Sequence, residues 1–333
     1  MHLVRLTEPG RRWLHGIWPL VVLLCACVFP CRETRADECS LAPHAGLQSV
    51  SVHTPSGDRP VAVYFPPNYV EARPLALVID LHGSGGNGEE HAAVSGLRPL
   101  AERRHFIVAS PDGGVSLPGQ PGAYAWNVPG VPLVGDARLP ADAPDDVAFL
   151  AGLIDTLTAA HCADAHHVYV TGFSGGARMA SALACSLPER IAAIAPVAGL
   201  RAGRARPDDP ASIDTASCAP AKPVAVLAFH GTDDPTNSYD GSHTLYWGYS
   251  VPKALARWAE IDGCNPTPVI QPFAAHIQRI SYLYCRPGME VTFYLTDAPR
   301  TAGGGHVWPK AEGPNPLDAS ALMLDFFAQH KRR

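Results

Sequence analysis

The chain has 333 residues, 47% of them hydrophobic and 17% charged, with a formal charge of −5. That composition supplies a sizeable core, lacks the charge density of a disordered tail and offers no concentrated basic face for nucleic acid. Its 33 prolines, about twice the usual share of roughly 5%, point to many fixed turns and long ordered loops.

At the N-terminus, Arg5, Arg11 and Arg12 precede an apolar run from Ile17 to Phe29, and Thr34-Arg35-Ala36 places small residues at the −3 and −1 positions of a signal-peptidase site. The run is interrupted by Pro19 and falls short of the roughly 20 residues that span a bilayer. Residues 1–36 therefore read as a secretory signal, and residues 37–333 as one exported domain, extracellular or periplasmic, without stable membrane insertion. Leu24-Cys25-Ala26-Cys27 carries part of a lipid-attachment pattern, with an unusual residue at its second position, so Cys27 is the lesser reading.

Short strand patterns at 47–53 and 61–65 lead to Leu75–Leu81, a nearly continuous apolar run of the kind buried on both faces of a parallel sheet. Helix and strand patterns then alternate: helix at 89–104, strand at 106–110, helix at 145–160, strand at 168–173, helix at 175–186, and strands at 191–197 and 224–229. A helix at 253–261, strands at 277–284 and 291–295 and an amphipathic helix over 317–330 complete the chain. This order predicts an α/β fold with a mostly parallel central sheet flanked by helices and no large lid domain. The Pro/Gly-rich stretches 111–143 and 199–222 read as loops of one domain.

Of nine cysteines, three lie in the leader; Cys39, Cys162, Cys185, Cys218, Cys264 and Cys285 remain, an even number suited to an oxidising compartment. Cys264 and Cys285 are the nearest candidates for pairing. No CxxC pair is present, so no metal or redox site is expected. His161, His166 and His167 read as histidines of an irregular polar link.

Gly172-Phe173-Ser174-Gly175-Gly176 fits G-x-S-x-G between a predicted strand and a predicted helix. Glycines on either side permit a strained turn that projects the Ser174 hydroxyl, and the helix N-terminus favours developing negative charge. A serine needs a base, and the base an orienting acid. Asp234, in His230-Gly231-Thr232-Asp233-Asp234 after an apolar strand, is the preferred acid, with Asp233 as the alternative. His306, in Gly303-Gly304-Gly305-His306, is the candidate base. The order Ser174, Asp234, His306 matches the α/β-hydrolase order. Oxyanion donors are expected from Gly175 and from the loop Gly83, Ser84, Gly85. That loop also fits the dinucleotide pattern G-x-G-x-x-G, but Glu89 and Glu90 occupy the helix start where a pyrophosphate would sit. No cofactor is expected.

These blocks, together with Asp145–Leu150, Ile194–Gly199 and Gly304–Pro309, resemble the secreted esterases grouped with poly(3-hydroxybutyrate) depolymerases and feruloyl esterases in carbohydrate esterase family one, over about residues 45–312. The resemblance implies an α/β-hydrolase fold, a serine esterase activity through Ser174, Asp234 and His306, and pairing of Cys185 with Cys218 and of Cys264 with Cys285, which leaves Cys39 and Cys162 over as a third pair. The implied partner is an ester: a soluble 3-hydroxyalkanoate oligomer, or a feruloyl or acetyl ester of plant polysaccharide. Thr236-Asn237-Ser238-Tyr239 departs from the Val-Pro-Tyr type of run often found after the acid in that family. Tyr124, Trp126, Trp247 and Trp308 are candidates for an aromatic substrate rim. Acyl transfer on the same residues, and a catalytically silent cell-surface binding protein, are the rival functions.

Overall fold

Leu75–Leu81 forms β3 in the computed structural model, which describes residues 45–67 and 74–332. Successive residues of this strand point to opposite faces. Leu77, Ile79 and Leu81 enter one hydrophobic cluster and Val78 the other, so the strand is covered on both sides. The first cluster is closed by α3 (Asp146–Ala160), α4 (Gly175–Ser186) and α5 (Val251–Ile261), the second by α2 (Leu97–Arg104) and α6 (Ala319–Gln329).

Among the described residues, ten strands make one sheet. Its parallel centre runs β4 (Phe106–Ser110), β3, β7 (Ala163–Phe173), β8 (Ala193–Val197), β9 (Ala225–Gly231) and β12 (Val291–Thr296). An antiparallel hairpin, β1 (Gly46–Thr54) and β2 (Gly57–Phe65), flanks β4. On the other side β11 (Ile277–Tyr282) and β10 (Val269–Ala274) add antiparallel to β12. Two short strands, β5 (Val115–Ser116) and β6 (Tyr124–Ala125), pair separately. In such sheets ligands bind beyond the carboxyl ends of the parallel strands. Here β3, β7 and β9 end just before His82, Ser174 and Thr232.

Several expectations change in detail. The helix expected over 89–104 is two, α1 (Gly88–Ser95) and α2, because Gly96 adopts φ 62° and turns the chain. The strand expected at 168–173 begins at Ala163, so His166 and His167 lie on β7 rather than in a link. His167 Nδ1 sits 2.7 Å from Asp164 Oδ2, and His166 Nδ1 3.2 Å from the Arg332 carbonyl. His161 caps α3 through its backbone N–H. Strand β10 gave no signal, since all six of its residues are exposed and carry no burial alternation.

Cys185 is bonded to Cys218, which ties the end of α4 to the loop after β8, and Cys264 is bonded to Cys285. Cys162 is also disulfide-bonded; Cys39, like Cys27 and the rest of the leader, lies outside the described residues. No helix among the described residues is long and apolar enough to cross a membrane.

Candidate active site

The turn between β7 and α4 puts Ser174 at φ 54°, ψ −111°, a left-handed backbone that an L-residue adopts only under constraint. The constraint is close packing. A Cβ built on Gly172 would lie 2.7 Å from the Leu81 carbonyl oxygen, and one on Gly176 only 2.2 Å from the same oxygen. Both glycines are therefore required by the approach of β3. The Ser174 N–H donates to the Val197 carbonyl at 2.9 Å, and the residue is buried.

Beyond β9 the two aspartates part. Asp233 accepts from the Arg300 guanidinium and backbone N–H at the surface. Asp234 is buried, with Oδ2 accepting from His306 Nδ1 at 2.7 Å and Oδ1 accepting from the N–H groups of Thr236 and Asn237, each at 2.8 Å. Burial alone would raise the Asp234 pKa. The His306 hydrogen bond and charge and the Asn237 N–H outweigh it, and the pKa falls below the usual carboxylate range. His230, wholly buried 3.4 Å from Asp234 Oδ2, is pushed down to about 4, chiefly by desolvation. It stays neutral at physiological pH, and its Nε2–H donates to the Asn237 carbonyl at 2.8 Å.

His306 follows a loop pinned by Gly304, where a Cβ would meet the Ala298 carbonyl oxygen at 1.7 Å. Its ring packs on Phe173, the residue before Ser174, at 4.7 Å between centroids. The chain beyond it is anchored through Trp308, whose Nε1–H donates to Ser320 Oγ and whose ring meets the edge of His91 at 5.3 Å. His91 Nε2 lies 2.8 Å from Asp80 Oδ1, and Asp80 Oδ2 accepts from Ser95 Oγ at 2.6 Å. This buried polar cluster was missed in the sequence. Its readable signal is the single carboxylate inside the apolar run Leu75–Leu81.

The loop after β3 is fixed by His82. Nδ1–H donates to the Gly83 carbonyl at 2.7 Å while Nε2 accepts from the Gly113 N–H at 2.8 Å, an arrangement that needs the neutral ring. Burial lowers the His82 pKa accordingly. The Gly85 N–H is spent on the Tyr124 carbonyl at 2.8 Å. Ser84 faces Gly175: its amide nitrogen is 3.0 Å, and its Oγ 2.4 Å, from a Cβ built on Gly175. Gly83 abuts Phe173 and Ser174. Asp146, also missed in the sequence, is buried and steadies this side, accepting from Arg59 and from the Gly114 and Asn127 N–H groups.

The aromatic rim is not formed as expected. Trp126, Trp247 and Trp308 are 3%, 1% and 6% exposed. Trp126 packs on His82 and donates to its carbonyl, and Trp247 stacks under the Arg201 guanidinium and donates to the Ser238 carbonyl. Their indole N–H groups are all satisfied inside the protein, which fixes them as packing residues. Tyr124 is half-buried, and its backbone bridges Gly85 and Gly86.

Residues 60–241 match the sequence profile of the family described as esterase PHB depolymerase. NocK of Nocardia uniformis subsp. tsuyamanensis is 38% identical over 266 residues, covering 74% of this chain and 69% of its own length. Feruloyl esterase B of Piromyces equi is 30% identical over 254 residues, covering 74% of this chain and 42% of its own. Among solved structures, acetyl xylan esterase from Aspergillus awamori superposes with a TM-score of 0.57 at 21% identity, covering 86% of this chain and all (100%) of that one. Native pOPH superposes with a TM-score of 0.53 at 15% identity, covering 88% and 89%. With a family profile matched over more than half its length, the chain belongs to the esterase PHB depolymerase family, carboxylic ester hydrolases on the α/β-hydrolase fold.

Proposed function

We propose that the protein is an exported serine esterase that works through an acyl-enzyme, with Ser174 as nucleophile, His306 as base and Asp234 as orienting acid. The observation that carries this reading is the 2.7 Å bond from His306 Nδ1–H to buried Asp234, beside a serine held in a strained turn at a helix N-terminus. With Nδ1–H committed to Asp234, Nε2 is left as the basic nitrogen.

Ser174 Oγ attacks the ester carbonyl as its proton passes to His306 Nε2. The carbonyl oxygen becomes an oxyanion, received by the amides of Gly175 and Ser84; the engaged N–H of Gly85 favours Ser84 over it as the second donor. Collapse breaks the bond to the leaving alkoxide, which takes the proton from the imidazolium. Water, deprotonated by His306, then adds to the acyl-enzyme and restores Ser174 with release of the acid. The sequence balances without a metal or cofactor.

Residues 1–36 are read as the export signal and 37–333 as one catalytic domain, in keeping with the grouping of Cys39–Arg333 as one compact unit and with its disulfides. Soluble 3-hydroxyalkanoate oligomers and feruloyl or acetyl esters are the substrate classes. Burial of the three tryptophans removes the aromatic-rim argument for a ferulate ring. The test supplies an equal mixture of methyl ferulate and a 3-hydroxybutyrate trimer, with Ser174→Ala as blank, and quantifies each acid. Release above the blank supports the reading and names the acyl class. Release equal to the blank, with no labelling of folded protein by a fluorophosphonate, sinks it.

A further inference from the structure

Arg178 and Arg201 are both buried, at 4% and 6% exposure, yet every acceptor they find among the described residues is neutral. Arg178 Nη1 donates to the Tyr246 carbonyl at 3.0 Å, and Nη2 approaches Ser84 Oγ at 3.4 Å. Arg201 donates from Nε to the Leu200 carbonyl at 2.6 Å and from Nη1 to the carbonyls of Trp247 and Tyr249. Arg178 Nε and Arg201 Nη2 have no acceptor at all among the described residues. The neighbouring Arg204, by contrast, is paired with Asp214 at 2.9 Å.

Burying a cation without an opposite charge is costly, and two near one another add repulsion. Burial, the largest cause, pushes both guanidinium pKa values down to about 10, and Arg178 contributes to lowering Arg201. Both remain cationic at neutral pH. Stacking on Trp247, at 3.4 Å from the ring centroid, and on Tyr249, at 4.4 Å, offsets part of the cost at Arg201. It supplies no negative charge to the free N–H groups.

The two arginines line one narrow cavity with Val128, Ala182, Tyr246 and Trp247. Its volume is ≈ 40 Å³, and the two planar guanidinium groups that line it match the flat, two-oxygen geometry of a carboxylate. One wall is α4, where Arg178 stands one helical turn, about 6 Å of rise, beyond Ser174. Through Ser84 it also touches the loop beside Gly175. On the other wall Tyr246 donates its hydroxyl to the Thr236 carbonyl at 2.8 Å, and the Thr236 N–H donates to Asp234 at 2.8 Å. The cavity thus abuts both the helix of the nucleophile and the loop of the acid.

We propose that this cavity receives a carboxylate carried by the ester substrate, bound by Arg178 and Arg201, so that the protein selects acid-bearing esters over their neutral counterparts. The inference rests on ester hydrolysis at Ser174 and narrows it to a substrate class. Guanidinium forks match carboxylate geometry, and a site built to hydrogen-bond one group rejects the analogue that lacks it.

The test measures kcat/KM on two matched pairs. A 3-hydroxybutyrate dimer as free acid and as methyl ester puts the charge on the alcohol side; the mono-para-nitrophenyl ester of adipic acid and its methyl-capped form put it on the acyl side. One pair is expected to favour the free acid by about tenfold or more, mainly through KM. Arg201→Met should bring that ratio toward one, and Arg201→Lys should recover part of it. The wild-type ratio needs no variant, so a poorly folding Arg201→Met leaves the test intact. Ratios near one in both pairs, with hydrolysis retained, overturn the carboxylate site and leave the esterase reading standing. No hydrolysis of any of the four, in protein that melts cooperatively, overturns both.

Discussion

Replacing Ser174 by glycine should stabilise the protein relative to replacing it by alanine, although both changes abolish turnover. Both remove the hydroxyl, so the comparison isolates the Cβ in a backbone held at φ 54°, ψ −111°. A non-glycine residue in such a region stores on the order of 1–3 kcal/mol. Glycine relieves that strain but enters folding with more conformational freedom to lose, a cost of roughly 0.5–1 kcal/mol. The net difference is about 1–2 kcal/mol in favour of Ser174→Gly. For a domain of about 300 residues, unfolding entropy is on the order of 0.6 kcal/mol per degree, so Tm should differ by about 2–3 °C. Urea titration and thermal melts of the oxidised proteins both read it. Equal stability, or a more stable alanine variant, would show that the turn at Ser174 is relaxed and that close packing at Gly172 and Gly176 does not force it.

Asp234→Asn should reduce kcat/KM by about 10²–10⁴-fold, the range for a misoriented catalytic histidine, whereas Asp233→Asn, which loses only surface contacts with Arg300, should stay within about twofold; a steady-state comparison on one soluble ester decides it. Buried Asp262 has its pKa raised to about 8, chiefly by desolvation. The native state therefore holds a proton that the unfolded chain releases near pH 4, and stability falls as pH rises between those values, by up to about 1.4 kcal/mol per pH unit, with no further loss from this group above about pH 8. Asp262→Asn should flatten the curve of stability against pH over that window, and parallel curves for variant and parent would refute the assignment. Trp308→Phe should lower Tm while leaving the ferulate-to-hydroxybutyrate product ratio unchanged, because the indole donates to Ser320 inside the protein; a changed ratio with an unchanged Tm would return Trp308 to the substrate.

The parts of the site legible in the sequence are those fixed by local backbone demands. Gly172 and Gly176 flank Ser174 because β3 comes too close for a side chain, and that requirement shows as spacing. Gly304, ahead of His306, is pinned by Ala298 in the same manner. Between Asp233 and Asp234 the chain context carried only a preference, since burial and Arg300, 67 residues away, decide the matter. The tryptophans misled because an indole reads alike whether its N–H finds a partner inside or outside; the acceptors at His82, Ser238 and Ser320 are supplied by the folding of other loops and elements onto the ring. Arg178 and Arg201 gave no signal either, for an arginine reads as surface until its surroundings are known. Strand β10 lacks alternation because it lies at the outer edge of the sheet with all six of its residues exposed.

That outer strand bears on how the molecule behaves in a crowd of its own copies. Its Val269, Ile270 and Phe273 are 40%, 59% and 47% exposed, a composition that on a free sheet edge invites another chain to add on. Pro272 sits among them without an N–H, and the pairing with β11 slips between Pro272 and Ala274. A visiting strand would find the ladder interrupted in the middle of a six-residue template. The sheet thus carries its own stop, and the apolar residues beside it are kept from seeding aggregation by one imino acid and one bulge.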